Sequence, residues 1–198
     1  MGRRDYFVIL SRLIEACMGE EGITHLMMIT GLNYLQIRRY LREALERDLI
    51  TEVRRDEGRK YYRATKKGLR FLNVMTELES VMSDDKVLGP YKITESVGLR
   101  FGEYGMRIIG VRIFSKRRDR LSLYVCVLSK ALKPVRITEL CNKCLLGWAT
   151  CSKVVNELLN KGLLSKATSS KGKTIYVISN KGKYFIGKYI EALLLLIR

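Results

Sequence analysis

Five cysteines and a single histidine are the first candidates for chemistry in this 198-residue chain. Cys141-Asn142-Lys143-Cys144 is a C-x-x-C, and Cys126 and Cys151 lie close to it in sequence. Four thiols can hold zinc, but a second C-x-x-C or a histidine pair is missing. Cys141, Cys144 and Cys151 also fall on the apolar side of helical patterns, where cysteine serves as a small core residue. The reading is therefore no metal and no cofactor, with a disulfide left open. His25 has no serine, cysteine or carboxylate partner at a spacing that would make it a catalytic base. Gly98-x-x-x-Gly102 lacks the lysine and hydroxyl of a phosphate loop. No enzymatic chemistry is expected.

A different chemistry sits in Asn33-Tyr34-Leu35-Gln36-Ile37-Arg38-Arg39-Tyr40-Leu41-Arg42. Arginine can grip guanine and glutamine can grip adenine through paired hydrogen bonds, so Asn33, Tyr34, Gln36, Arg38, Arg39 and Arg42 are candidates for reading base edges. Arg54, Arg55, Arg59 and Lys60 follow, flanking Asp56-Glu57-Gly58, and suit phosphate contact. The plain alternative is a solvated charged face. The net charge of +17, with a pI near 9.8, favours polyanions. The charge is uneven: +2 over 1–84, +2 over 85–114 and +13 over 115–198.

These side chains need a scaffold. Phe7, Leu10, Leu13, Ile14 and Cys17 have helical spacing after Asp5, and Gly19 and Gly22 end that helix. Thr24 is expected to cap a short helix over 25–30, and Gly31-Leu32 to form a tight turn. Asn33 caps a helix over 34–47, with Ile37, Leu41, Ala44 and Leu45 on its buried stripe. Strands are expected over 50–55 and 60–64, joined at Gly58. Thr65 caps a last helix with Phe71, Met75, Leu78 and Met82 on one seam. Displaced by 114 positions, the pattern returns without a gap: Leu26 meets Leu140, Glu43 meets Glu157, Gly58 meets Gly172, and Lys67-Gly68 meets Lys181-Gly182. In the second copy Trp148 stands for Tyr34. Ser152, Lys153 and Asn156 stand for Arg38, Arg39 and Arg42. Trp148, Thr150, Ser152, Lys153, Asn156, Lys166, Lys171 and Lys173 are its candidate contacts. Ser179 caps its last helix, which ends in an apolar run over 192–197. The 85–114 segment is too apolar for a flexible linker and reads equally as helix or hairpin.

The order helix, helix, turn, helix, strand, strand, helix resembles the winged helix-turn-helix superfamily. The G-L-N-Y-L-Q-I-R-R-Y-L helix and the closing Y-R-A-T-K-K-G-L-R-F-L are more closely similar to archaeal winged-helix DNA-binding proteins whose last helix forms a coiled coil. The expected fold is mainly α with small β-hairpin wings (α+β), as two tandem winged helix-turn-helix domains at 1–84 and 115–198, joined by 85–114. The resemblance implies double-stranded DNA as partner, for transcription regulation. A nucleoid-architectural role or a protein-interaction scaffold are the alternatives. A homodimer through the last helices and the 97–114 segment is expected, since the apolar run needs cover. With no run of about 18 apolar residues and no cleavage site, a cytoplasmic, nucleoid-associated protein is expected.

Overall fold

The computed structural model describes residues 6–54, 59–83, 119–170 and 172–197. The Asp5 cap, Arg55, the Asp56-Glu57-Gly58 turn, the 85–114 segment and Lys171 therefore lie outside the described residues. Among those described, the chain is mainly helical with small antiparallel hairpins. It divides into two compact units, 1–77 together with 191–198, and 78–190.

In the first unit, α1 (Tyr6–Ala16) buries Phe7, Leu10, Leu13 and Ile14. It is followed by β1 (Glu21–Gly22), α2 (Ile23–Thr30) and α3 (Tyr34–Glu46). The strands β2 (Ile50–Arg54) and β3 (Lys60–Ala64) form the hairpin, and α4 begins at Lys66 and runs to Met82. The sheet order is β1-β3-β2, with Glu21 opposite Tyr62 and Arg54 opposite Lys60. β1 was not expected: two residues carry no alternation, and its pairing partner lies some forty residues on. Thr24 is not the cap of α2. That helix starts two residues earlier, at Ile23, with Gly22 as its N-cap and no side-chain cap. Asn33 does cap α3, in a reciprocal box with Gln36. Ile37, Leu41 and Ala44 are buried as expected, but Leu45 is only half-buried. On α4, Phe71, Met75 and Leu78 are buried; Met82 is half-buried and Val81 takes the inward place.

In the second unit, α5 (Arg120–Lys130), α6 (Ile137–Lys143) and α7 (Trp148–Asn160) precede β4 (Leu164–Thr168), β5 (Thr174–Ile178) and α8, which begins at Asn180 and runs to Leu195. Val135 bridges Tyr176, 114 positions after Glu21 and Tyr62. The joint between the third helix and the last helix also recurs at that offset. Thr65 Oγ1 donates to the Asp48 carbonyl at 2.5 Å and accepts from Gly68 N at 3.1 Å. Ser179 Oγ donates to the Gly162 carbonyl at 2.6 Å and accepts from Gly182 N at 3.0 Å. Both caps are those read from the sequence. Gly68 and Gly182 are there because the chain passes too close for a side chain: a Cβ on either would run into the backbone carbonyl of Leu49 or Leu163.

Near the ends of the long helices, basic side chains meet backbone carbonyls within each unit. In the first, Arg47 Nε donates to the Leu196 carbonyl at 3.1 Å and Lys67 Nζ to the Ile197 carbonyl at 3.4 Å. In the second, Lys161 Nζ donates to the Met82 carbonyl at 2.6 Å. These are cations on the orphan carbonyls of helix C-termini. In the apolar run, Ala192 and Leu193 are buried, whereas Leu194 is 45% exposed.

The cysteines sit mostly in the core. Cys141 is joined to Cys151 by a disulfide, with Cα atoms 5.5 Å apart. Cys126 Sγ lies 2.9 Å from Cys144 Sγ. The two thiols of the C-x-x-C thus face different partners. Cys17 is buried among apolar side chains, which pushes its thiol up to about 12.

Candidate nucleic-acid interface

Asn33 ends the turn that begins at Gly31, whose φ of 63° places it in the left-handed region. The Asn33 side chain accepts from Gln36 N at 2.9 Å, and Gln36 Oε1 accepts from Asn33 N at 3.2 Å. The box fixes the entry of α3, and it occupies the amide oxygen that adenine readout by Gln36 would use. Beyond it the exposed face of α3 presents Tyr34, Leu35, Arg38, Arg39 and Arg42. The Arg38 guanidinium sits 5.5 Å over the Tyr34 ring, a cation–π contact that aligns it along the helix. Arg39 Nε is 3.2 Å from Glu43 Oε1, and Arg47 Nη1 is 3.6 Å from Glu43 Oε2. The hydrogen bond to Glu43 raises the Arg39 pKa further.

A groove of about 1050 Å³ separates this helix from the hairpin, lined by Tyr34, Arg38, Arg42, Arg59, Lys60 and Tyr61 among others. At its rim His25 Nδ1 lies 2.6 Å from Glu21 Oε2. The expectation of no carboxylate near His25 is thus corrected: Glu21, four residues earlier in β1, reaches it. On the hairpin, Glu52 accepts from Arg54 Nε at 3.2 Å and from Lys60 Nζ at 3.1 Å. These bonds, Lys60 first, hold the Glu52 carboxyl below the usual carboxylate range. The first hairpin therefore carries its own counter-charge, which was not read from the sequence because it depends on cross-strand register.

The second unit is built differently. Trp148, Thr150, Lys153 and Asn156 are exposed on α7, and Ser152 is half-buried. Lys166 and Lys173 are exposed on the hairpin. Glu157 is the only carboxylate between residues 140 and 190. It is turned inward, accepting from Tyr124 at 2.7 Å with Arg120 at 3.2 Å. Partial burial pushes Glu157 up, but the Tyr124 hydrogen bond and the Arg120 charge outweigh it and hold the carboxyl low. Burial and the same bond push Tyr124 up to about 12. Among the described residues, the outward face of α7 and its hairpin thus carries Lys153, Lys166 and Lys173 with one acid near them, Glu157, a turn from Lys153. The turn before α7 holds an unexpected feature: Leu145 has a φ of 51°. Only its alignment with Gly31 could have signalled that position.

Of the expected contact residues, Tyr34, Arg38, Arg42, Arg59 and Lys60 come together around the first groove. Asn33 and Gln36 are engaged in the cap, Arg39 in its pair with Glu43, and Arg54 in its pair with Glu52.

Residues 3–83 match the family model described as winged helix-turn-helix. Among solved structures, the chain is similar to Sso10a-2, a DNA-binding protein from Sulfolobus solfataricus. The two are 23% identical over 39% of this chain and 81% of that one, with a TM-score of 0.37. It is also similar to a MarR family transcriptional regulator from Silicibacter pomeroyi, 19% identical over 39% of this chain and 52% of that one, with a TM-score of 0.34. No curated protein matches. Three helices followed by an antiparallel hairpin, within the span matched by the model, give 3–83 the winged helix-turn-helix arrangement.

Proposed function

We propose that this protein binds double-stranded DNA through two winged-helix heads, at 1–84 and 115–198, and acts as a transcription regulator. The observation that carries the reading is the exposed α3 face, with Tyr34, Arg38 and Arg42 bordering a groove whose other wall is the hairpin. A major groove takes such a helix, and the space beside it suits the sugar-phosphate strand. The recurrence of helix, hairpin and cap bonds at an offset of 114 residues supports the tandem reading. In the first head Arg38, Arg39 and Arg42 read bases, with Asn33, Tyr34 and Gln36 at the helix entry and Arg54, Arg55, Arg59 and Lys60 on phosphates. In the second, Thr150, Ser152, Lys153, Asn156, Lys166, Lys171 and Lys173 bind mostly without sequence preference. The chain works without a cofactor, in the cytoplasm, as a homodimer whose interface covers Leu194. Light scattering tests the dimer, and a monomeric mass at micromolar concentration refutes it.

The lysine-rich, acid-poor outer face of the second head favours one further reading, a nucleoid-architectural protein. Selection of bound sequences from random duplex DNA separates the two. An enriched motif that is lost in Arg38→Ala/Arg42→Ala supports the regulator. Tight binding without any motif supports the architectural role. Failure to retain any duplex at low salt refutes both.

A further inference from the structure

The turn that leads into α7 is strained in a way its counterpart is not. In the first unit the left-handed position belongs to Gly31, which has no Cβ to clash. In the second the same position, 114 residues on, is Leu145, at a φ of 51°. The turn itself is a normal helix stop: Leu145 N donates to the Asn142 carbonyl at 3.1 Å and Leu146 N to the Cys141 carbonyl at 2.9 Å. Nothing in those bonds requires a side chain at 145. A leucine there meets steric resistance that glycine avoids, and its side chain returns nothing to the core, being 82% exposed. Three residues later Trp148, the chain's only tryptophan, is 59% exposed. Their Cα atoms can be no more than about 11 Å apart. Strain kept for an exposed apolar side chain, beside an exposed indole, marks a contact surface rather than a packing device.

The charge of this part of the chain points to what covers it. Glu139, the nearest acid in sequence, is bound by Lys143 at 2.6 Å. Lys153 and Lys166 are exposed; Glu157, the one carboxylate of α7, is held by Arg120 and Tyr124 and lies one turn from Lys153. An aromatic platform in an acid-poor, lysine-bearing surface is the combination that takes a nucleic-acid strand with its bases unpaired. The residues in place of Arg38 and Arg39 are Ser152 and Lys153, so the rigid planar fork with which arginine grips guanine is missing at these positions.

We propose that the entry to α7 is a site for single-stranded DNA, in which an unpaired base stacks on the Trp148 indole and packs against Leu145 while Lys153 and Lys166 meet the flanking phosphates. This rests on the reading of the chain as DNA-binding, and gives its second head a ligand distinct from the duplex.

The test uses the full chain, an oligothymidine strand and a blunt duplex. Trp148 emission is followed beside the anisotropy of a labelled strand. The expected result is that the single strand quenches Trp148 with the midpoint of its own anisotropy curve, while the duplex binds with little change in emission. Trp148→Ala should weaken single-strand binding roughly tenfold, and duplex binding by less. Leu145→Gly should weaken it severalfold with a melting temperature unchanged or raised, which separates lost contact from lost fold. Single-strand binding with unchanged emission, equal quenching by the duplex, or full affinity in Trp148→Ala overturns the proposal. So does emission that varies with protein concentration alone, which would make the patch a contact between copies. Duplex binding without single-strand binding removes this inference and leaves the duplex reading standing; no binding to either removes both.

Discussion

Glu52→Gln is expected to strengthen DNA binding while slightly weakening the fold. Glu52 holds Arg54 at 3.2 Å and Lys60 at 3.1 Å, and those two cations lie directly opposite one another across β2 and β3. Their side chains are 72% and 54% exposed, so both can reach a phosphate once released. Gln keeps the shape and one acceptor but removes the charge. A carboxylate about 7 Å from a phosphate repels it by about 0.6 kcal/mol in water, and by more where protein displaces solvent. A gain of about 1 kcal/mol, or roughly fivefold in affinity, follows. If one or both cations then take a phosphate, the slope of log affinity against log salt should steepen by about 0.9 for each. The stability cost is that of two exposed ion pairs, about 0.2–1 kcal/mol each, plus unmasked repulsion between Arg54 and Lys60. Anisotropy titrations on duplex DNA over a salt series, beside urea denaturation, measure both. An unchanged slope with unchanged or weaker binding would mean that the hairpin does not touch phosphate.

Gly68→Ala and Gly182→Ala should each lower stability by about 1–3 kcal/mol or more, read by denaturant melts, because the added Cβ meets the Leu49 or Leu163 carbonyl. The pair should have similar effects; a neutral outcome at either would contradict the close approach. Reduction of the Cys141–Cys151 bridge, or Cys141→Ser/Cys151→Ser, should lower the melting temperature of the second unit, by the equivalent of about 2–3 kcal/mol for a loop of separation 10. Glu52 and Glu157 are both held below their ordinary value of 4.5. A depressed carboxyl stabilises above its unfolded pKa and loses that contribution as pH falls through the folded one. Stability should therefore be flat above about pH 5 and decline below it. The decline in the second unit should shrink in Glu157→Gln, and an unaltered acid limb would refute that assignment.

What could be read from the sequence was local or periodic. Asn33, Thr65 and Ser179 were visible as caps because a cap is decided by one side chain and the backbone three residues on. The α3 stripe was visible because burial recurs every turn, and the exposed position of Trp148 followed from its register with Tyr34. What escaped depends on pairing across space. β1 exists because Glu21 and Gly22 meet β3. Glu52 neutralises its neighbours because register sets it beside Lys60. The cysteine spacing identified four thiols but not that Cys141 meets Cys151 and Cys144 meets Cys126. Gly22 replaced Thr24 as the cap because the chain leaves β1 directly into α2, leaving no residue between them.

The distribution of acids separates the two heads more than that of bases. In the first, Glu43 engages Arg39 and Arg47, and Glu52 engages Arg54 and Lys60. Each such cation must leave a carboxylate before it can bind DNA. A lone phosphate contact returns about what the exposed ion pair gave, so non-specific association gains little. A paired contact to guanine, with about 1–3 kcal/mol of discrimination behind it, exceeds that cost. If the first head reads bases as proposed, its internal acids suppress wrong sites more than right ones, which is how repulsion sharpens a difference of affinities. In the second, Lys166 and Lys173 are exposed on the hairpin, and Glu157, turned toward Tyr124 and Arg120, acts on Lys153 through charge alone. On the proposed reading the second head holds the chain on DNA wherever it lands, and the first decides where it stays. Glu43→Gln should then raise affinity for random duplex more than for a preferred site. An equal gain on both would place the first head among the non-specific binders.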